Sequence, residues 1–156
     1  MIRQDIEIVI ESPEKKLQED IALQLGVRLI HLSELKNIIS LEKCTSLPGK
    51  LPREGYVMGL EETRPRINHT VCRALRDSDT TLLLRFPAGE SKRWGRYIMK
   101  TIPILEHYHV RYLLVSLSEN PWMMSSRQEK EGFIKMILEN HLARPFSSCP
   151  SHTRAC

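Results

Sequence analysis

"DTTLLLRFPAGESKRWGRYIMKTIPILEHYHVRYLLVSL" (79–117) is the stretch that decides the fold. Its opening, "DTTLLLRF" (79–86), is β-branched and then continuously apolar, the pattern of a strand buried on both faces. From Ser91 to Tyr108, Trp94, Tyr97, Ile98, Thr101, Ile102 and Leu105 recur at helical spacing and form one apolar stripe. Pro103 lies inside that stripe and is expected to kink or split the helix. "VRYLLVSL" (110–117) then reads as a second buried strand. Strand, helix and strand in this order make a parallel crossover unit, because parallel neighbours need a long connection.

The same alternation extends outward. "DIEIVI" (5–10) reads as a strand entering the core. A helix follows, with Ser12 as N-cap, Pro13 at the first helical position and Gly26 at the stop. "VRLIHL" (27–32) reads as another strand, and Ser33 is expected to cap a short helix through "ELKNIISLEK" (34–43). Prolines and glycines dominate 44–66, which predicts loop or extended chain. A helix is expected over 67–77, with Ile67, Val71, Ala74 and Leu75 inward. "SRQE" (126–129) matches a capping box ahead of a helix to about His141. The expected fold is therefore α/β: a Rossmann-like, doubly wound, largely parallel sheet with helices on both faces. Residues 1–142 form one domain in this reading, and 143–156 a polar C-terminal tail.

The totals exclude several classes. At 156 residues, with 41% hydrophobic and 27% charged residues, the chain has the composition of a globular protein with an ample core. The net charge of +4 comes without any Lys/Arg block, which argues against nucleic acid as partner. Apolar runs are too short for a membrane span, and "MIRQDIEIVI" (1–10) does not read as a signal peptide, so a cytoplasmic protein is expected. Cys44, Cys72, Cys149 and Cys156 are scattered and show no zinc spacing. Of the histidines, only His107 and His109 lie close in sequence, and no carboxylate or thiol completes a metal set with them. No metal site is expected, and homo-oligomerisation is left open.

Ligands of such folds bind beyond the C-terminal strand ends. Two segments qualify. "ESPEKK" (11–16) offers Ser12, but its Glu11 and Glu14 oppose phosphate and it has no glycine for close backbone approach. "RFPAGESKRWG" (85–95) is the stronger candidate. Pro87 and Gly89 shape the loop, Ser91 caps the next helix, and Lys92, Arg93 and Arg96 surround a helix N-terminus that attracts anions. A small anionic ligand is the expected partner. "DSD" (77–79) lies at the opposite strand end, where Asp and Ser ordinarily satisfy backbone N–H groups. No catalytic motif assigns a nucleophile or base.

Several motifs resemble the molybdenum carrier family, part of a Rossmann-like group that includes the LOG nucleotide-processing proteins. The match runs through Gly49, Pro52, Tyr56 and Glu61, then Asp77, Ser78, Asp79, Thr81 and Leu82, and finally Pro145, Ser148, Cys149 and Pro150. The order is kept over nearly the whole chain. The family's glycine-rich first loop is replaced by "ESPEKK", and its second survives only as Pro87, Gly89 and Gly95. The resemblance implies a Rossmann-like fold and a nucleotide or molybdenum cofactor as ligand. A molybdenum carrier-like binding protein is thus the leading expectation. A LOG-like nucleotide-processing hydrolase is the alternative, with Glu90 and Glu11 its only local carboxylates. An interaction domain that has kept the fold and lost the ligand is the third.

Overall fold

The computed structural model describes residues 3–40, 51, 53–59, 64–86 and 92–143. The strands are β1 (Ile6–Val9), β2 (Arg28–His31), β3 (Ile38–Ser40), β4 (Tyr56–Gly59), β5 (Thr81–Arg85) and β6 (Tyr112–Val115). The α-helices are α1 (Lys15–Leu25), α2 (His69–Asp77), α3 (Lys92–His107) and α4 (Arg127–Ala143), with 3-10 turns at Leu32–Glu34 and Pro121–Met123. β1 pairs with β2, and β3, β4, β5 and β6 pair in that order, every pair parallel. This is the Rossmann-like α/β class that the alternation implied.

β1 runs beside β6 and joins the two sheets. At one end the backbones meet directly: Leu117 N donates to Ile8 O at 3.0 Å and Ile10 N to Ser118 O at 3.2 Å. Toward the other end side chains bridge the strands. Gln4 Nε2 donates to Tyr112 O at 3.1 Å, and Leu114 N donates to Gln4 Oε1 at 2.8 Å. Ser116 N donates to Glu7 Oε1. Glu7 also meets Lys130 Nζ of α4 at 2.5 Å, and both side chains are 0% exposed. Lys130 Nζ further donates to Ile6 O at 3.1 Å. Burial pushes the Glu7 carboxyl upward, opposed by Lys130 and the Ser116 N–H. The strands thus read β2-β1-β6-β5-β4-β3 across the molecule.

Strand alternation divides the core. Val57, Leu82, Leu84, Tyr112 and Leu114 pack against Cys72 and Leu75 of α2, Trp94, Ile98, Ile102 and Leu105 of α3, and Ile134 and Ile137 of α4. Leu83, Leu113 and Val115 point the other way and meet Ile8, Leu117, Leu32 and Leu35, so the connection after β2 covers that face with its 3-10 turn. α1 packs through Ile21 and Ala22 on Val9. Each fully buried leucine in this core contributes about 1.5–3 kcal/mol.

Local chemistry explains the helix ends. Gly26 adopts φ 66° and closes α1 through bonds to Ala22 O and Leu23 O, a left-handed stop open to glycine. Asn68 Oδ1 accepts from Val71 N at 3.0 Å and caps α2. The capping box at α4 is reciprocal: Glu129 N donates to Ser126 Oγ at 3.2 Å, and Ser126 N to Glu129 Oε2 at 2.7 Å. Among the described residues no helix is long and apolar enough to cross a membrane.

Some expectations need correction. The helix expected after Ser33 is a 3-10 turn followed by β3, because Leu32 and Leu35 are drawn onto the sheet and Ile38–Ser40 pairs with β4. β4 is the extended part of the segment expected to be loop or extended chain. Pro103 does not split α3, whose stripe on either side is anchored by buried Ile98, Ile102 and Leu105. Glu14, not Ser12, is the N-cap residue of α1. Ser12 instead accepts from Glu14 N at 3.1 Å, a local hydroxyl turn. The tail from 144 onward lies outside the described residues.

Candidate functional site

The candidate site lies at the C-terminal ends of β4 and β5. Gly59 closes β4 in a tight place: a Cβ there would come 2.9 Å from Leu84 Cδ2 and 3.3 Å from Leu83 O. Pro65 passes close by, with its Cγ 3.8 Å from the same point. Arg64 precedes that proline with φ 32°, a left-handed backbone that bulky residues seldom adopt and that a following proline further disfavours. Unusual backbone of this kind collects at ligand sites.

Two tethers fix the start of α3 against these strand ends. Trp94 Nε1 donates to Arg85 O, the last residue of β5, at 2.9 Å. Tyr97 Oη donates to Pro65 O, and burial pushes its phenol well above the usual range. The two rings stack with centroids 5.0 Å apart. Both aromatics thus serve as anchors, consistent with their place on the apolar stripe.

This arrangement gathers cations from separate segments. Arg64 and Arg66 flank Pro65, Arg85 ends β5, and Lys92, Arg93 and Arg96 occupy the first turns of α3. All but the half-buried Arg85 are exposed. None of these side chains has an ion-pair partner among the described residues. The surface ion pairs among the described residues, such as Arg111–Asp79 at 3.2 Å and Arg127–Glu131 at 2.8 Å, involve none of them. α3 has no acidic residue in its first turn, so the partial positive charge of its N-terminus adds to the same field. Pro87, Gly89 and Ser91 lie outside the described residues, as do Glu61, Glu62 and Glu90.

The other candidate segment is arranged differently. Ser12 follows β1, two strand positions from β5 and so about 10 Å across the sheet. Beyond the ends of β1 and β6, Gln18 of α1 donates its Nε2 to Ile10 O at 3.1 Å and Glu119 O at 3.2 Å. Gln18 is 0% exposed. Gln18 thus ties together the chain segments that leave β1 and β6.

Other reactive groups among the described residues serve the fold, while Cys44, Cys149 and Cys156 lie outside them. Asp79 holds Arg111, and Ser78 Oγ donates to Ala74 O at 2.8 Å, which keeps "DSD" in turn and cap duties at the far strand end. Cys72 is buried, and burial pushes its thiol upward, away from a reactive thiolate. His107 and His109 are both exposed, and among the described residues no cluster of His, Cys, Asp or Glu is arranged to hold a metal ion.

Sequence reading found the α3 cations through their helix N-terminus. It missed Arg64, Arg66 and Arg85, which distant segments contribute. The "RPR" run at 64–66 was the available signal, obscured by its place in a stretch expected to be loop or extended chain. Compared with known proteins, no protein-family model matches this chain, and no curated protein matches it.

Proposed function

We propose that this chain is a non-catalytic binding protein for a small anionic ligand held at the C-terminal ends of β4 and β5. The ligand class is a nucleotide, a phosphorylated metabolite or a molybdenum-containing cofactor, in keeping with the molybdenum carrier-like motifs. The observation that carries the reading is the set of cations, Arg64, Arg66, Arg85, Lys92, Arg93 and Arg96, around one strand end without ion pairs among the described residues. Arginine forks bind phosphate-like oxygens in bidentate fashion, and α3 presents free N–H groups beside them. Like charges gathered this way repel one another, and an anion relieves that repulsion.

The runner-up is LOG-like hydrolysis, which needs a carboxylate placed as acid or base. Glu90, the carboxylate nearest in sequence to the α3 cations, lies outside the described residues. The deeply buried Glu7 is committed to Lys130 and Ser116.

Native mass spectrometry of freshly purified chain tests the reading, followed by calorimetry with AMP, pyrophosphate and molybdate. Adenosine serves as uncharged control, and AMP turnover is followed separately. A retained anion, or binding of the anionic probes but not adenosine, without turnover, is the expected result. No adduct, together with no binding of any probe at millimolar concentration, overturns it. AMP turnover replaces it with the hydrolase reading.

A further inference from the structure

α3 and α4 enclose a surface groove of about 1330 Å³ that no described segment fills. Its apolar lining includes Met99 and Ile104 of α3, Tyr108 just beyond its end, and Leu138 and Leu142 of α4. Met99 is 44% exposed and Leu142 83%, a large apolar cost in water for side chains that share one groove. Arg96, Lys100, His107 and His141 line the same groove. Its one carboxylate, Glu106, accepts from Tyr112 Oη at 2.6 Å and is held inward. The groove therefore joins an apolar floor to a cationic rim.

We infer that this groove docks an acidic amphipathic helix of a partner protein. Arg96 to His107 spans about three helical turns, roughly 16 Å, which matches a partner helix presenting apolar residues at i, i+3 or i+4, and i+7. Acidic residues flanking that apolar face pair with Lys100 and Arg96 at the rim and set orientation. Met99 supplies an adaptable contact.

Charge selects this occupant over the others. A second copy joined about a two-fold axis brings two cationic rims together, on a chain already carrying +4. Residues 144–156 contain Arg144 and Arg154 and no acid, so their charge does not match the rim either. Single-stranded nucleic acid needs successive stacking platforms, whereas Tyr108 is the one Phe, Tyr or Trp of the lining and meets His107 edge to face. Arg96 is shared with the proposed anion site, so Lys100 carries the part of the rim charge that belongs to the groove alone.

Fluorescence anisotropy decides it with two labelled helical peptides that share one leucine face, one with glutamates on its flanks and one with lysines. The glutamate peptide is expected to bind at least tenfold tighter. Met99→Asp should weaken it at least tenfold, and Lys100→Glu should abolish the preference for glutamate. Met136→Asp, at an exposed α4 position outside the lining, should leave binding unchanged, with circular dichroism showing each variant folded. Equal binding of both peptides, or binding untouched by Met99→Asp, overturns the inference. So does self-association in sedimentation that Met99→Asp removes while the glutamate peptide fails to bind, which assigns the groove to a second copy. Displacement of the glutamate peptide by oligothymidine, with tighter direct binding of the oligonucleotide, assigns it to nucleic acid.

Discussion

Lys130→Met probes the join between β1 and β6. Methionine nearly matches lysine in shape but removes the ammonium that meets Glu7 Oε2 at 2.5 Å and Ile6 O at 3.1 Å. Glu7 is then left in a site that is 0% exposed, and the folded chain keeps its carboxyl protonated. Protonating a carboxyl of ordinary pKa 4.5 at pH 7 costs about 3.4 kcal/mol, at about 1.36 kcal/mol per pH unit. Burial already raises this carboxyl in the native chain, so the ionic part of the loss stays below that bound. The lost bond to Ile6 O adds about 1 kcal/mol.

The sign follows from linkage. A carboxyl raised by folding contributes stability that is complete below 4.5 and is lost as pH rises through its folded value. Removing Lys130 takes away the chief opposing influence, so the folded value climbs and the window of loss extends upward. The deficit of Lys130→Met should therefore be about 1–2 kcal/mol near pH 5 and grow toward about 3–4 kcal/mol near pH 7. Urea unfolding across this range, followed by Trp94 fluorescence, measures it. Glu7→Gln combined with Lys130→Met keeps an acceptor for Ser116 N and should remove the pH dependence. A deficit that does not change with pH, or a double variant that keeps the slope, refutes the reasoning.

Other perturbations test the frame. Leu83→Asp buries an unpaired charge at a site 0% exposed and should abolish the cooperative thermal transition. Gln4→Ala leaves Tyr112 O and Leu114 N without their bridging partner, so a loss of about 2–5 kcal/mol is expected, with hydrogen exchange faster at Leu114 than at Leu82. Asn68→Ala removes the cap on Val71 N and should cost about 1 kcal/mol in chemical unfolding.

What the chain revealed in advance follows from where the information sits. β5 and β6 were legible because Leu82–Leu84 and Tyr112–Val115 are buried whichever face they take, so an unbroken apolar run records them. The box at Ser126 and Glu129 was legible because both partners lie within one helical turn. β3 was hidden because Ile38 and Ile39 fit a helical stripe as well as a strand, and only pairing with Tyr56 and Val57 decides. The Gln4 and Glu7 bridge was hidden for a related reason. Polar residues beside a core strand read as solvent-facing until Tyr112, Leu114, Ser116 and Lys130, more than a hundred residues away, are seen to satisfy them. The proposed anion site was half legible: α3 declares Lys92, Arg93 and Arg96 in one short run, whereas Arg64, Arg66 and Arg85 are linked to that helix start only through the tethers of Tyr97 and Trp94.

Calorimetric titration of pyrophosphate into the native chain and the Lys92→Ala/Arg93→Ala variant, at low, intermediate and high salt, tests the anion site most directly. Both positions are exposed, so the variant should keep its fold, which circular dichroism checks. Binding to the native chain should weaken steadily with salt, because exposed charges are screened. The variant should bind about tenfold or more weakly and show a shallower salt dependence, since each lost charged contact contributes about 1.5–3 kcal/mol. A folded variant with native affinity and native salt dependence, or a native chain that binds no pyrophosphate, contradicts an anion site at the ends of β4 and β5.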